Sequence, residues 1–531
     1  MQIKSLTIED YKCLVDFKIQ FEIAKNSSCS ILIGENGTGK STMLEVISQI
    51  FMSFDSSFIA KSITFSYEIE YFYSGQFVII TFDGNKYKIV VDKNYIYTGT
   101  RKTILKKLAV NNKRIFPNRI VTYYSGLNDK LLSLYNKLTI SYKKAINSTV
   151  NKYLTQLKHP EKTSDLAFPH KKYIFCDDKM TGIYLCAILG ASNPSDSFEK
   201  KYLSEQCNIH SIANIDIEID MKKIFAFYRK DFSEQLTSPT ELLTIIEFID
   251  DRMVSAFEIF FIYSSNSKVF FSLKNLQDLK MDASAILNFF EKLSTLFDVK
   301  YNINVSLGDS IVNINDLSEG QRQLIKLFGM LGICKAEDCL VLMDEPDAHM
   351  NPKWKYNIKS LIDRSLEKAI NTQAIIATHD PLVINGVDKK FIRIFEYNSN
   401  IIKNNNFYLT KVIVPNENTK GLGIDGLLQS SYYGLQSSYD KETSDEFLER
   451  QKLYIKLINK EISQEEKERL KNLTLKLSAL PISYNTIDFL YDDFISEFRN
   501  SKYYSKEYLT YDETEKRRKE IQDIISKLYE E

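Results

Sequence analysis

The stretch "SCSILIGENGTGKSTMLEVISQIF", Ser28 to Phe51, constrains this chain more than any other. "SILI" reads as a short buried strand. "GENGTGKS", Gly34 to Ser41, fits the spacing G-x-x-x-x-G-K-[ST]. A helix follows, with Met43, Leu44, Ile47, Ile50 and Phe51 on one face. Gly34, Gly37 and Gly39 let backbone N–H groups converge on phosphate oxygens. The helix N-terminus adds favourable dipole charge there. Lys40 is placed to reach β- and γ-phosphates and the Ser41 hydroxyl to coordinate Mg²⁺, with Asn36, Thr38 and Thr42 in the same turn. The pattern predicts an α/β fold that binds ATP and Mg²⁺.

A second stretch, "CLVLMDEPDAHMNPKW", begins at Cys339. Leu340 to Met343 form another buried strand, and Asp344 and Glu345 sit at its C-terminal end, the edge where open α/β sheets bind ligands. Asp344 is expected to hold the Mg²⁺ shell and Glu345 to act as general base on the attacking water. About 35 residues on, "AIIA" is one more buried strand, ending at Thr378, His379 and Asp380. That spacing leaves room for one crossover helix and puts His379 at the same sheet edge as Glu345. His379 is then within reach of the γ-phosphate or the attacking water.

Composition narrows the class. Net charge is +0, so no global basic field announces nucleic acid, and any such surface must be local. The 531 residues suggest roughly two to four domains. Seven cysteines include no Cys-x-x-Cys pair and no secretory signal precedes them, so free thiols in a reducing cytoplasm are expected. No apolar run approaches a membrane span.

Residues 316–324, "DLSEGQRQL", supply a second anion site about 280 residues after the first: a Ser–x–Gly turn at a helix start. Glycine loop, Ser318–Glu319–Gly320–Gln321, acidic strand, then His379: this order resembles the ABC-type ATPase head. The first residues resemble the N-terminus of the RecF, SMC and OLD group, whose head is split by a long insertion. The resemblance implies a homodimer of heads, in which Ser318, Glu319, Gly320 and Gln321 of one subunit cap the γ-phosphate of ATP held on Lys40 of the other. It also implies that Asp347 and Asn351 form the loop after the acidic strand, with His349 between them, and that Lys12 is a basic residue near the nucleotide. The chain departs from many such heads at "RIVTYYSGLND", where Ser125 and Gly126 stand and no Gln is found.

The split head predicts residues 1–125 as an N-lobe with three alternating strands in 62–91, joined by turns at Ser74–Gly75 and Asp83–Gly84. Residues 126–300 read as a helical insertion without the long heptads of an SMC arm, 301–415 as the C-lobe, and 416–531 as a helical extension for partner or oligomer docking. "GLGIDGLL" and "YYGLQSSYDKETSDEFLER" resemble the tail of the ATPase subunit of Septu-type antiphage systems, PtuA, related to retron-associated ATPases. That resemblance implies a separate HNH-type nuclease partner, PtuB. The chain itself shows no clustered metal-nuclease residues; "YDDF" at 491–494 lies in a helical pattern. An alternative is a DNA-binding repair ATPase of RecF or SMC type, with nucleic acid as the partner. A transporter subunit is disfavoured by the wide separation of glycine loop and signature.

Overall fold

The computed structural model describes residues 1–24, 28–55, 63–125, 129–159, 166–191, 197–220, 239–254, 257–258, 268–273, 276–334, 338–403, 407–435, 439–458, 461–478, 516 and 519–524. The chain divides into two compact units, Met1–Gly421 and Leu422–Glu531.

At the centre of the first unit is a seven-stranded sheet. From one edge it runs Phe407–Ile413, Ile392–Lys403, Ser28–Gly34, Gln373–Ala377, Cys339–Asp344, Arg119–Tyr124 and Tyr173–Cys176. All neighbours are parallel except the Phe407–Ile413 edge. Parallel strands covered on both faces read as unbroken apolar runs. Accordingly Cys339–Asp344, Gln373–Ala377 and Arg119–Tyr124 are buried along their whole length. The register pairs Asp344 with Ala377 and Ala377 with Leu32, so the three strands end together.

A six-stranded antiparallel sheet lies beside it: Leu14–Gln20, Gln2–Tyr11, Tyr67–Tyr73, Gln76–Phe82, Tyr87–Val91 and Tyr95–Gly99. Tyr67, Ile69, Tyr71 and Tyr73 face inward and their neighbours do not, the alternation of a one-sided sheet. The three strands expected in 62–91 are present, and a fourth, Tyr95–Gly99, extends them. Ser74 and Gly75 both take positive φ, the backbone of a tight hairpin turn. The helix Lys40–Met52 is sandwiched between the sheets. Leu44, Ile47 and Phe51 share one core with Ile69, Tyr71 and Ile89 on one side and Leu340, Leu342 and Ile375 on the other.

The insertion differs in part from the helical expectation. It contains helices Asp129–Lys158, Thr181–Gly190, Phe198–Cys207, Pro239–Ile249 and Ala283–Leu296. It also contributes Tyr173–Cys176 to the central sheet, and it carries most of a five-stranded antiparallel sheet around Ile209–Asp220. The strand Val299–Leu307 of that sheet runs across residue 300 and pairs with Ile209–Asp220. Ile215, Ile217 and Ile219 are buried at every second position, a period-two signal set among longer helical patterns.

The second unit contains helices Gly423–Gln429, Lys441–Ile458 and Gln464–Ser478. The last two form a hairpin closed by Leu453, Leu470 and Leu473, with an Arg469–Glu449 ion pair at 3.0 Å outside. "YDDF" at 491–494 and most of the final basic helical pattern lie outside the described residues. Among the described residues no helix is long and apolar enough to cross a membrane, and no group of His, Cys, Asp and Glu could hold a metal ion by itself.

Phe51 is fully buried and meets Tyr71 edge-on at 5.6 Å between ring centroids. Phe51→Ala should destabilise the first unit by about 3–5 kcal/mol. The check is a lower urea midpoint for the transition that reports this unit.

Candidate functional site

Four strand ends meet at one edge of the central sheet. Ser28–Gly34 delivers the glycine loop, Cys339–Asp344 the two carboxylates, Gln373–Ala377 the segment Thr378–His379, and Arg119–Tyr124 delivers Ser125. Parallel register makes this convergence unavoidable once the strands pair.

The loop closes on itself. Lys40 Nζ donates to Gly34 O at 2.6 Å and to Glu35 O at 3.0 Å, arching the side chain over the turn. Gly39 caps the helix at φ 97°, a left-handed conformation that favours glycine. Behind the loop, Tyr397 Oη donates to Asn36 O at 2.7 Å and Thr410 Oγ1 to Thr38 O at 2.8 Å. Thr42 follows in the first turn of the helix.

Ser41 Oγ donates to Asp344 Oδ2 at 2.7 Å, across 303 residues of sequence. Both oxygens are hard ligands. Asp344 is buried, and that burial pushes its carboxyl up to about 6, against the Ser41 hydrogen bond and Lys40, which act the other way. Burial also lowers the Lys40 ammonium, an effect that Asp344, Glu345 and Glu35 oppose. The site therefore confines a cation and a carboxylate that both lack bulk water. Tyr124 Oη donates to Ser41 O at 2.8 Å, so an aromatic hydroxyl braces the serine from the strand whose following loop lacks a Gln.

Glu345 stands at φ 50°, unusual for a residue with a side chain, and its N–H donates to Ala377 O at 2.7 Å. Such backbone strain costs of order 1–3 kcal/mol and clusters at functional sites. Here it turns the carboxylate out of the strand line, where Oε1 lies 2.8 Å from His379 Nδ1. Both side chains are partly exposed at the sheet edge, open to a ligand. Asp347 is buried and its carboxyl is raised by that burial, with a Thr378 hydrogen bond opposing.

The signature residues form a second group. Ser318 caps the helix Glu319–Ile333 in a complete capping box: its Oγ accepts from Gln321 N at 3.3 Å, and its N–H donates to Gln321 Oε1 at 3.0 Å. Glu319 lies 3.4 Å from His349 Nδ1. A Cβ on Gly320 would stand 3.1 Å from His349 O, so the helix start packs closely on the loop after the acidic strand. Asn351 caps the next helix, accepting from Trp354 N at 2.9 Å. Among the described residues no hydrogen bond or ion pair joins Ser318, Glu319, Gly320 or Gln321 to the glycine loop.

Lys12 pairs with the helix that follows the loop. Its Nζ lies 2.6 Å from Glu45 Oε2, on a buried carboxylate that also accepts from Tyr11 Oη at 2.8 Å and Gln49 Nε2 at 2.8 Å. Glu45 and Gln49 give no sequence signal because polar residues at helical spacing look like a solvated face. Gln323 is hidden in the same way. It accepts from Tyr123 Oη at 2.8 Å and donates to Pro346 O at 2.9 Å, tying the signature helix to the acidic loop through buried groups.

Comparison with known proteins finds similar ATPases. The family described as "AAA domain, putative AbiEii toxin, Type IV TA system" matches residues 258–385. Septu protein PtuA of Bacillus mycoides (strain KBAB4) is 30% identical over 178 residues, 32% of this chain and 23% of that protein. The chain thus spans less than a quarter of that relative's length. Retron Ec83 probable ATPase of Escherichia coli is 24% identical over 426 residues, covering 74% of this chain and 71% of that protein. Retron Vc95 probable ATPase of Vibrio cholerae serotype O1 biovar El Tor is 23% identical over 445 residues, covering 79% and 77%. Among solved structures, the Smc head domain bound to the C-terminal domain of ScpA from Pyrococcus furiosus aligns with TM-score 0.33 and 14% identity, over 78% of this chain and 96% of that one.

The raised Asp344 carboxyl has a stability consequence. A folded pKa above the ordinary value means the ionised form is penalised, fully above pH about 6 and not at all below about 3.8. Asp344→Asn should therefore stabilise the ligand-free chain by about 2–3 kcal/mol at pH 7.5 and by nearly nothing at pH 4. Thermal melting at the two pH values, without nucleotide or metal, checks it.

With its glycine loop, paired carboxylates and edge histidine assembled at one sheet edge, and with the Septu and retron proteins among the sequences it matches, the chain is similar to the ABC-type ATPases of the RecF/SMC/OLD group.

Proposed function

We propose that this chain binds and hydrolyses ATP in a pocket shared by two copies, and uses that cycle as the regulatory subunit of an antiphage defence system. The observation that carries the reading is the meeting of Ser41, Asp344, Glu345 and His379 beside Lys40. The glycine-loop amides and Lys40 take the phosphates. The buried Asp344 oxygen beside the Ser41 hydroxyl suits a hard divalent cation better than it suits an unpaired carboxylate. Mg²⁺ held by Ser41 and Asp344 would supply positive charge to the β- and γ-phosphate oxygens. Glu345 accepts a proton from the attacking water, and His379 fixes that carboxylate's orientation and faces the γ-phosphate.

Ser318 and Gly320 lie at a helix N-terminus that makes no hydrogen bond to the same chain's glycine loop among the described residues. They serve the γ-phosphate on a partner's Lys40, with Asp347 and Asn351 in the adjoining loop. Two helix N-termini on one triphosphate add N–H groups and dipole charge, so ATP joins the subunits and hydrolysis weakens the joint. The names of the Septu and retron relatives support the defence setting, which this reading places in the cytoplasm. In that setting an HNH-type nuclease, PtuB-like, would be the cutting partner.

Glu345→Gln should lower ATP turnover about 10²–10⁴-fold while retaining ATP and a closed dimer. Wild-type turnover in this variant, measured by phosphate release, would remove Glu345 from the role of base. Lys40→Ala should abolish ATP binding in calorimetry. A mixture of Lys40→Ala and Ser318→Ala chains forms mixed dimers in which one pocket pairs both defects and the other is intact. If ATP needs both chains, the mixture recovers turnover that neither variant has alone. If it recovers none, the shared pocket is wrong. Co-expression with the neighbouring gene's product and phage plating test the defence role separately.

A further inference from the structure

The glycine loop is held from behind by two hydroxyls that belong to neither the loop nor its helix. Tyr397 and Thr410 lie opposite each other across the antiparallel pair Ile392–Lys403 and Phe407–Ile413. Directly opposed residues leave the sheet on the same face. From there Tyr397 Oη donates to Asn36 O at 2.7 Å and Thr410 Oγ1 donates to Thr38 O at 2.8 Å.

The consequence is stereochemical. In a planar trans peptide the carbonyl and the following N–H point in opposite directions. Drawing the Asn36 carbonyl back turns the Gly37 N–H forward, and drawing the Thr38 carbonyl back does the same for Gly39. The alternate amides of the loop are thereby aimed at one point in front of it. The glycines are part of the same device: a Cβ on Gly37 would stand 2.6 Å from Tyr397 Oη, and one on Gly39 would stand 2.9 Å from Thr410 Oγ1. A side chain at either position would displace the hydroxyl.

We propose that Tyr397 and Thr410 are positioning residues, a hydroxyl clamp that presets the loop's amides for the phosphates of the nucleotide. The inference rests on the triphosphate occupying this loop. Among the described residues the two hydroxyls bond to loop carbonyls and not to Glu345 or His379, so the clamp governs how tightly the phosphates are held and leaves the chemical step alone.

Full-length Tyr397→Phe, Thr410→Val, the double variant and Thr410→Ser are compared with the wild type by calorimetric ATP titration in Mg²⁺, steady-state turnover, and melting without nucleotide. Each single loss should weaken ATP about 3–10-fold, the worth of one hydrogen bond. The double variant should weaken it about 10–100-fold. KM should rise while kcat holds, and Thr410→Ser should bind as the wild type does. Tyr397 is 37% exposed, so Tyr397→Phe should melt as the wild type does, which separates aiming from mere support. A double variant with wild-type affinity overturns the clamp. So does a loss of affinity that Thr410→Ser shares and that tracks a loss of melting temperature. A wild-type chain that fails to bind ATP overturns the triphosphate site itself, and the clamp with it. Where the wild type binds ATP and Lys40→Ala does not, the site stands, and the hydroxyl variants alone uphold or overturn the clamp.

Discussion

The hydrogen bond from Ser41 to Asp344 is the point on which the rest of the site turns. It joins the start of one helix to the end of one strand across 303 residues. It exists only if Ser28–Gly34, Gln373–Ala377 and Cys339–Asp344 pair in the observed register. A slip of one residue would reverse every side chain's face, and these strands are buried on both sides, where any slip would also carry Asp344 out of line. The register is therefore fixed by apolar packing and read out as polar geometry. Burial holds the Asp344 carboxyl up and the Lys40 ammonium down, so the fold stores two unfavourably desolvated groups side by side. A phosphate-bearing ligand with a cation relieves both. The same edge explains Glu345: its strained φ is tolerated because its N–H is held by Ala377 O, on the strand that also carries His379.

Much of this is legible in the sequence, for a physical reason. Glycine loops, terminal carboxylates and short unbroken apolar strands are local features, and parallel strands with helical crossovers must bring their C-terminal ends together. Hence Lys40, Ser41, Asp344, Glu345 and His379 can be named and placed at one edge from spacing alone. What stays hidden depends on contacts between distant segments. Tyr397 and Thr410 lie in an antiparallel hairpin whose alternation looks like ordinary strand packing. Resemblance puts Lys12 near the nucleotide, and only the structure shows that its ammonium rests on Glu45, a buried carboxylate on the helix that follows the glycine loop. The sheet around Ile209–Asp220 is hidden because its strands are far apart in sequence and separated by helices such as Pro239–Ile249 and Ala283–Leu296.

The signature turn raises a question of energetic competition. In the isolated chain the Ser318 hydroxyl donates to Gln321 Oε1 at 2.9 Å, and Gln321 Nε2 donates onward to Cys207 O at 3.2 Å. For Ser318 to donate to a phosphate oxygen, it must release a neutral amide. Charge-assisted hydrogen bonds are roughly twice as strong as neutral ones, so in the proposed dimer the exchange would favour the phosphate. Gln321 then keeps its tie to Cys207, at the end of the helix that leads into the insertion's sheet. The turn proposed to close on ATP is the same turn that touches the insertion, and Gln323 carries a second buried link from that helix to Pro346 beside Glu345. One helix thus ties the insertion's Cys207 carbonyl and the acidic loop's Pro346 carbonyl together, through two glutamines two residues apart.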